Sequence, residues 1–546
     1  MMTDQQGGFA NRWVFALVIA AALLAAALRF TSLDVRPMHG DEAVHTVKFD
    51  SLWREGRYDY DPHDYHGPTL YYATLPAAWL SGAQSLSDAN EAMFRIVPAV
   101  FGVAVVLLAI LFRGGIGRWA LVCAAVLTAT SPAMVYYSRY YIQEMLLVFF
   151  TLAAMAAGWR FVCTRRAAWC LVAGACAGLM HATKETCVIA WAAAATALVV
   201  TSIWHRYSAR MAKRSAQKQP AEELPGEAVP KNRTWLFAAS LAVAAFVSIA
   251  CFSVFFTNAS GPVDSLRAYW AYAARGTTNV AHAHPWHYYL GMLLWTHAAP
   301  GPIWSEALIL GLGAIGLIAA MTGRVGADGH VRFARFWAIY TILMIAIYSA
   351  IPYKTPWCML QFLAPLIFLA GMGAVTLIGA FRSVPARVAV CAVLCALTAD
   401  LGRQAHAASN RFASDNRNPY AYAHPVGDVK RLGAWVERLA SVHADGNNML
   451  IKVVADDCWP LPWYLRRRER VGYWEDVPDN PDAAVVIVER ALAEDVDARL
   501  TGSYRTYHYG LRPGTSLVVY VEETLWQAFV ERERSAVALP REAKRE

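Results

Sequence analysis

Long apolar runs separated by polar connections fill the first four hundred residues. The first covers 13–33, with Arg12 before it and Arg29 and Asp34 near its exit. Ten more follow at 96–111, 120–136, 145–162, 167–180, 188–203, 235–256, 303–321, 336–351, 359–378 and 388–401. A helix needs about 20 apolar residues to cross a bilayer core, so the pattern predicts about eleven spans, several near the short end of the range. Residues 25–27 resemble a signal-cleavage region. An uncleaved span is the better reading, because Arg29 can snorkel and the run continues to Leu33.

The connections alternate in character. Arg113 and Arg118, then Arg160, Arg165 and Arg166, then Arg206, Arg210, Lys213, Arg214, Lys218, Lys231 and Arg233, then Arg324, Arg332 and Arg335, then Arg382 and Arg387 mark one side. That side is cytoplasmic by the positive-inside rule, and the N-terminus lies with it. Residues 205–233 are basic, Pro-containing and poor in apolar positions, and are expected to form a flexible cytoplasmic linker. The other connections then share the opposite face. They include a polar, aromatic loop over 34–91, in which amphipathic helices resting on the membrane are expected. After residue 402 the pattern becomes that of a soluble domain. Val429, Leu432, Trp435, Val436 and Leu439 recur at helical spacing, and 449–454, 483–488 and 516–521 read as strands. The expected organisation is a transmembrane domain over 1–402 and a small extracytoplasmic α/β domain over 403–546. Asp456 and Asp457 end the first of these strands, where α/β sheets often bind ligands, although a purely structural loop is at least as good a reading.

Composition agrees with a polytopic membrane protein, whose expected location is the plasma membrane: 57% of the 546 residues are hydrophobic and 16% charged, with a mean hydropathy of +0.31. The net charge of +8 lies mostly in the short basic loops, which argues against nucleic acid as a partner. Most of the 10 cysteines lie in or beside apolar runs without metal-ligand spacing, so they read as small core residues. His39, His45, His63, His66, His282, His284 and His287 match no closed zinc signature, and neither a metal nor another cofactor is expected.

Chemistry collects on the outer face. Arg36-Pro37-Met38-His39-Gly40-Asp41-Glu42-Ala43-Val44-His45 sits just beyond the first span, and carboxylates so close to hydrocarbon are functional candidates by default. Arg139, Lys184 and Lys354 occupy later outer helix ends. Gly40-Asp41-Glu42 after the first span, the long outer loop and those cations resemble the GT-C glycosyltransferases, among them the protein O-mannosyltransferases and the aminoarabinose lipid A transferases. The whole chain, including Lys354-Thr355-Pro356-Trp357 and Trp459-Pro460-Leu461-Pro462-Trp463-Tyr464-Leu465, is similar to the flippase-activity-associated membrane protein family. No sugar-binding trefoil insert of the eukaryotic mannosyltransferases is present.

The resemblance implies an inverting hexosyltransferase that moves a sugar from a polyprenyl-phosphate donor to a lipid, glycan or protein acceptor. The alternative is a non-catalytic flippase-associated or envelope-assembly protein that handles a lipid-linked sugar. Such transfer needs a base for the acceptor hydroxyl and cations for the departing phosphate. Asp41 is the candidate base, and Glu42 orients an acceptor or a neighbouring cation. In the competing structural reading both acids cap the helix that follows. Arg139, Lys184 and Lys354 are candidate phosphate ligands, each also readable as a snorkelling end residue, and Lys184 as the partner of Glu185. His39, His66, Tyr140, Glu144, His284, His287 and Trp357 are expected to line the substrate site. The ionisable groups cluster at one rim, without the inverted repeats of a transporter, which favours the enzyme.

Overall fold

Each of the eleven apolar runs is largely helical, although 120–136 divides at Ser131 into two helices and 303–321 opens with a two-residue strand. The computed structural model describes residues 2–58, 60–63, 66–215, 234–278, 282–326 and 328–538. In chain order the helices are α1 (Met2–Phe30), α2 (Gly40–Glu55), α3 (Thr69–Ser81), α4 (Glu91–Leu108), α5 (Arg118–Thr130), α6 (Pro132–Tyr137), α7 (Glu144–Thr164), α8 (Ala167–His181), α9 (Cys187–Ser215), α10 (Thr234–Phe252), α11 (Gly261–Thr278) and α12 (Tyr288–Leu294). A ribbon of β1 (Thr296–His297) and β2 (Ile303–Trp304) leads to α13 (Ala307–Thr322), α14 (Val331–Ala350), α15 (Leu360–Ala380) and α16 (Val384–Ser409).

Among the described residues, eight helices, α1, α4, α7, α9, α10, α14, α15 and α16, are long and apolar enough to cross a membrane. The protein is therefore integral to a membrane. The other three expected spans are shorter apolar helices, α5, α8 and α13, of 13, 15 and 16 residues. The expected linker is corrected at its start, since α9 continues through its first residues to Ser215. Its remainder, 216–233, lies outside the described residues, as do Asp59, Asp64 and Tyr65 of the first outer loop.

The chain forms two compact units. The first comprises Met1–Leu33, Arg57–Ala77 and Arg95–Arg411. Small residues let its helices touch backbone to backbone. A Cβ on Gly316 of α13 would lie 1.8 Å from the Leu369 carbonyl oxygen of α15, and one on Gly373 would lie 1.9 Å from that of Leu312. Arg29 does not snorkel. It is buried, and its guanidinium donates to the carbonyls of Thr128 (3.0 Å) and Ala129 (3.1 Å). The last carbonyls of α5 have no partner within their own helix, so a cation there satisfies them.

The second unit comprises Asp34–Gly56, Ala78–Phe94 and Phe412–Glu546. Its tail contains α17 (Asp428–Ala440), β3 (Ile451–Val454), α18 (Leu461–Tyr464), β4 (Val471–Trp474), β5 (Val485–Glu489), α19 (Ala493–Asp497), β6 (Tyr504–Arg512), β7 (Thr515–Glu522) and α20 (Glu523–Ala538). The sheet runs β4-β3-β5-β7-β6, with β3 parallel to β4 and β5 and with β7 antiparallel to β5 and β6. Val429, Leu432, Val436 and Leu439 of α17 pack on Ile451, Val453, Val485 and Ile487. Val454, Val486 and Val488 point to the other face, against Val496, as the two-residue strand period requires.

The helix and the three expected strands are present, and β4 and β6 join them. β4 is interrupted by Gly472 and flanked by Arg470 and Glu475, and β6 carries arginines, histidine and glycine, so neither shows a continuous apolar run. The boundary expected at 403 moves to Phe412, because α16 carries the helix through Gly402 to Ser409. The tail also takes two pieces of the first outer loop into its unit. Over that loop α2 packs its Phe49 edge-on against Phe94 within the same unit (5.7 Å between ring centres).

Candidate functional site

The acidic motif belongs to the second unit. His39 is extended and caps α2. Its Nδ1 accepts from the Asp41 amide (3.1 Å), and the Glu42 carboxylate accepts from the His39 amide (2.9 Å), a reciprocal arrangement that satisfies donors the helix start leaves open. The second Glu42 oxygen pairs with Arg36 Nη2 at 2.8 Å, and Glu42 is fully buried. The structural duty expected of both acids thus falls chiefly on Glu42, with Arg36 as its neighbouring cation. The Asp41 side chain remains 42% exposed, its Oδ2 3.8 Å from His39 Nδ1.

Tail residues fix this turn from the other side. The Met38 amide donates to the Tyr464 hydroxyl (2.8 Å), His39 Nε2 to the Tyr422 carbonyl (3.2 Å), Arg36 Nη1 to His424 Nε2 (3.2 Å) and Lys430 Nζ to the Asp34 carbonyl (2.6 Å). Gly40 lies against Trp459, whose Cβ would be 3.5 Å from a Cβ at that position. Burial holds both His39 and His424 below the usual histidine pKa, for His39 despite Asp41 and Glu42 beside it. A neutral His39 is also what the bonds require, since one ring nitrogen accepts and the other donates.

The loop after β3 is structural in its bonding. Asp457 accepts from Arg512 Nη1 (2.6 Å) and from the Trp459 amide (3.1 Å). Beyond it, Trp463 donates to Glu91 (3.3 Å), and Arg466 lies over the Trp463 ring (3.7 Å) while donating to the carbonyls of Leu86 (3.0 Å) and Ala89 (2.7 Å). The tryptophan-rich motif therefore clasps both loop segments that join the tail.

The remaining predicted residues lie in the first unit. At the α8–α9 turn, Lys184, whose alternative reading is a partner of Glu185, forms its buried ion pair with Glu144, the first residue of α7. Burial opposes the ammonium, but Glu144 more than offsets it and raises the lysine pKa. Glu185 instead accepts from Tyr60 (2.9 Å) and pairs with His66 Nδ1 (2.7 Å). Burial opposes this carboxylate too, but His66, a backbone amide and the Tyr60 hydroxyl together outweigh it, leaving the pKa below the usual glutamate value. Gly67 permits the approach: a Cβ there would sit 2.2 Å from the Ala182 carbonyl oxygen.

Arg139 is buried and donates to the carbonyls of Leu28 (3.3 Å) and Ser32 (2.9 Å), at the exit of α1. Tyr140 lies beside Trp357, with 6.3 Å between ring centres. Lys354 and His284 are also brought together. The Lys354 amide donates to the His282 carbonyl (2.9 Å), the His284 amide to that of Pro352 (3.1 Å), and Lys354 Nζ to the His284 carbonyl (3.1 Å) and that of Ile351. Desolvation lowers the Lys354 pKa. His287 is exposed immediately before α12.

Sequence reasoning missed Glu306. This fully buried carboxylate accepts from the Ser131 hydroxyl (2.6 Å) and the Ala133 amide (2.9 Å), holding the start of the short α6 that leads to Arg139. A Ser-Pro pair opening a helix was the available signal, but its partner lies 175 residues away. Among the described residues no group of three or more His, Cys, Asp or Glu side chains is arranged to hold a metal ion.

Residues 19–260 match the family described as dolichyl-phosphate-mannose-protein mannosyltransferase. No curated protein matches the chain. Among solved structures, ArnT from Cupriavidus metallidurans bound to undecaprenyl phosphate is similar over 94% of this chain and 99% of its own, with 16% identity and a TM-score of 0.63. The fold is that of the GT-C membrane glycosyltransferases. A second GT-C likeness is to AglB, the archaeal oligosaccharyltransferase from Archaeoglobus fulgidus in complex with an inhibitory peptide and a dolichol-phosphate, with 14% identity, a TM-score of 0.52 and coverage of 95% of this chain and 77% of that one. Both likenesses of fold extend over more than nine-tenths of the chain, the tail included.

Proposed function

We propose that this protein is an inverting GT-C glycosyltransferase that uses a polyprenyl-phosphate-linked sugar. The observation that carries the reading is the division of labour in the acidic pair: Glu42 is buried and doubly bonded, whereas Asp41, one residue away, keeps a solvent-accessible carboxylate on a turn held from both sides. A base needs that combination of fixed backbone and accessible oxygen. Asp41 takes the proton of the acceptor hydroxyl, the acceptor oxygen bonds to the anomeric carbon, and the carbon–oxygen bond to phosphate breaks, so that polyprenyl phosphate departs.

Arg139 and Lys354 are assigned to the phosphate, and Lys184, paired with Glu144, to organising its own turn. His66, Tyr140, Glu144, His284, His287 and Trp357 are assigned to lining the substrate site. The basic loops support a plasma-membrane protein with a cytoplasmic N-terminus and an extracytoplasmic tail. The test is to incubate purified protein with labelled polyprenyl-phosphate sugars. Consumption of a donor by the wild type and its loss in Asp41→Asn is the expected result. Donor left intact across the panel would favour the non-catalytic alternative.

A further inference from the structure

We propose that a cleft on the tail domain binds a neutral saccharide chain, the glycan of the acceptor. The acceptor role rests on the transferase reading; the binding itself does not. The cleft has a volume of about 650 Å³ and is framed by α17, β6 and α20. Pockets for small ligands span roughly 300 to 1,000 Å³, so a short oligosaccharide fits.

Four rings form a continuous lining. Trp435 meets Tyr507 edge-on (4.8 Å between centres) and stacks with Tyr509 (5.8 Å), and Tyr507 continues to Trp526 (5.2 Å). Among the described residues, the hydroxyls of Tyr507 and Tyr509 and the indole N–H groups of Trp435 and Trp526 have no hydrogen-bond partner, and none of the four is sealed from solvent. The charges at the rim are balanced: Arg431 pairs with Asp428 and Arg438 with Glu533 (3.7 Å). Asp428 also accepts from the Gly510 amide (3.1 Å), which fixes its position.

These features select among ligand classes. An anion would meet a carboxylate beside each guanidinium, and a purely apolar segment would bury four polar groups without partners. A sugar offers apolar C–H faces to the rings and hydroxyls that both donate and accept. β6 is the outermost strand of the sheet, so an extended peptide pairing with its edge is the rival occupant.

The test uses the full-length protein in a detergent without a sugar headgroup. Binding of mannotetraose, cellotetraose and the N-acetylglucosamine tetramer is followed by saturation-transfer NMR and calorimetry. At least one should bind, and Tyr507→Ala and Trp526→Ala should each weaken it roughly tenfold. The Tyr507→Phe/Tyr509→Phe double variant keeps the rings and removes only the hydroxyls, so it tests the same contact if an alanine variant fails to fold; a several-fold weakening is expected. Failure of all three tetrasaccharides to bind, or equal binding by wild type and the double variant, overturns the proposal. Saccharide binding without donor consumption would refute the transferase reading and leave the cleft standing. Donor consumption without saccharide binding would do the reverse.

Discussion

Asp41 and Glu42 are adjacent in sequence, yet exchanging each for its amide should damage different properties. Glu42→Gln retains one oxygen to accept from the His39 amide but takes the carboxylate from Arg36, a buried cation 2.8 Å away. Breaking a buried pair costs about 3 to 5 kcal/mol. The low end applies, because Arg36 keeps its contact with His424. A loss of roughly 3 kcal/mol is a large share of the 5 to 15 kcal/mol that typically separates folded from unfolded domains. Asp41→Asn removes a charge that is 42% exposed and whose main structural contribution is to the helix dipole, about 0.3 to 1 kcal/mol before solvent screening. Its turnover should instead fall by ~10²- to 10⁴-fold, the range of a positioned base. The assay heats each variant through a series of temperatures, quantifies the monodisperse fraction by size-exclusion chromatography, and measures donor consumption per folded molecule. Glu42→Gln should melt earlier, and Asp41→Asn should melt like wild type and fail to turn over. Near-normal transfer by Asp41→Asn, or equal destabilisation by the two variants, would refute the division of labour. Normal transfer by the double variant would remove the motif from catalysis altogether.

Tyr464→Phe deletes the acceptor of the Met38 amide without changing ring volume. It should lower kcat severalfold and leave the KM for donor close to wild type, because the turn carrying Asp41 loosens while the donor contacts persist; an unchanged kcat would show that the tail does not position the base. Because burial depresses the His39 and His424 pKa values, the folded protein binds fewer protons than the unfolded chain between those values and about 6.5. Stability should be complete above about pH 6.5 and decline as pH falls below it. His39→Asn, which can still cap α2, should flatten this dependence in a thermal-melt series from pH 7.5 to 5; an unaltered pH profile would count against the neutral-histidine cap.

Much of the architecture follows from local pattern. A membrane-spanning helix satisfies its own backbone bonds, so an apolar run of sufficient length declares itself without reference to its neighbours. All eleven apolar runs contain an apolar helix, eight of them long enough to span among the described residues, and α17 was legible because Val429, Leu432, Trp435, Val436 and Leu439 mark one face. β6 was not, since Tyr504–Arg512 is an edge strand whose polar composition suits a half-exposed position. The acidic motif was visible as chemistry out of place, yet which acid would be structural was not, because that depends on how His424 and Tyr464, up to 426 residues away, fix Arg36 and Met38 within it. The same holds for the cations. Nothing near Lys184 in sequence indicates that Glu144 is nearer to it than Glu185, since a turn directs adjacent side chains apart and a helix end from another segment fills the gap. What the sequence alone determined were the elements that close their own hydrogen bonds or bury their own stripe. Tertiary structure decided the partners of Arg29, Arg139, Glu144, Lys184, Glu185 and Glu306, because desolvation requires each to find an opposite charge, a carbonyl or a donor, and these come from distant elements.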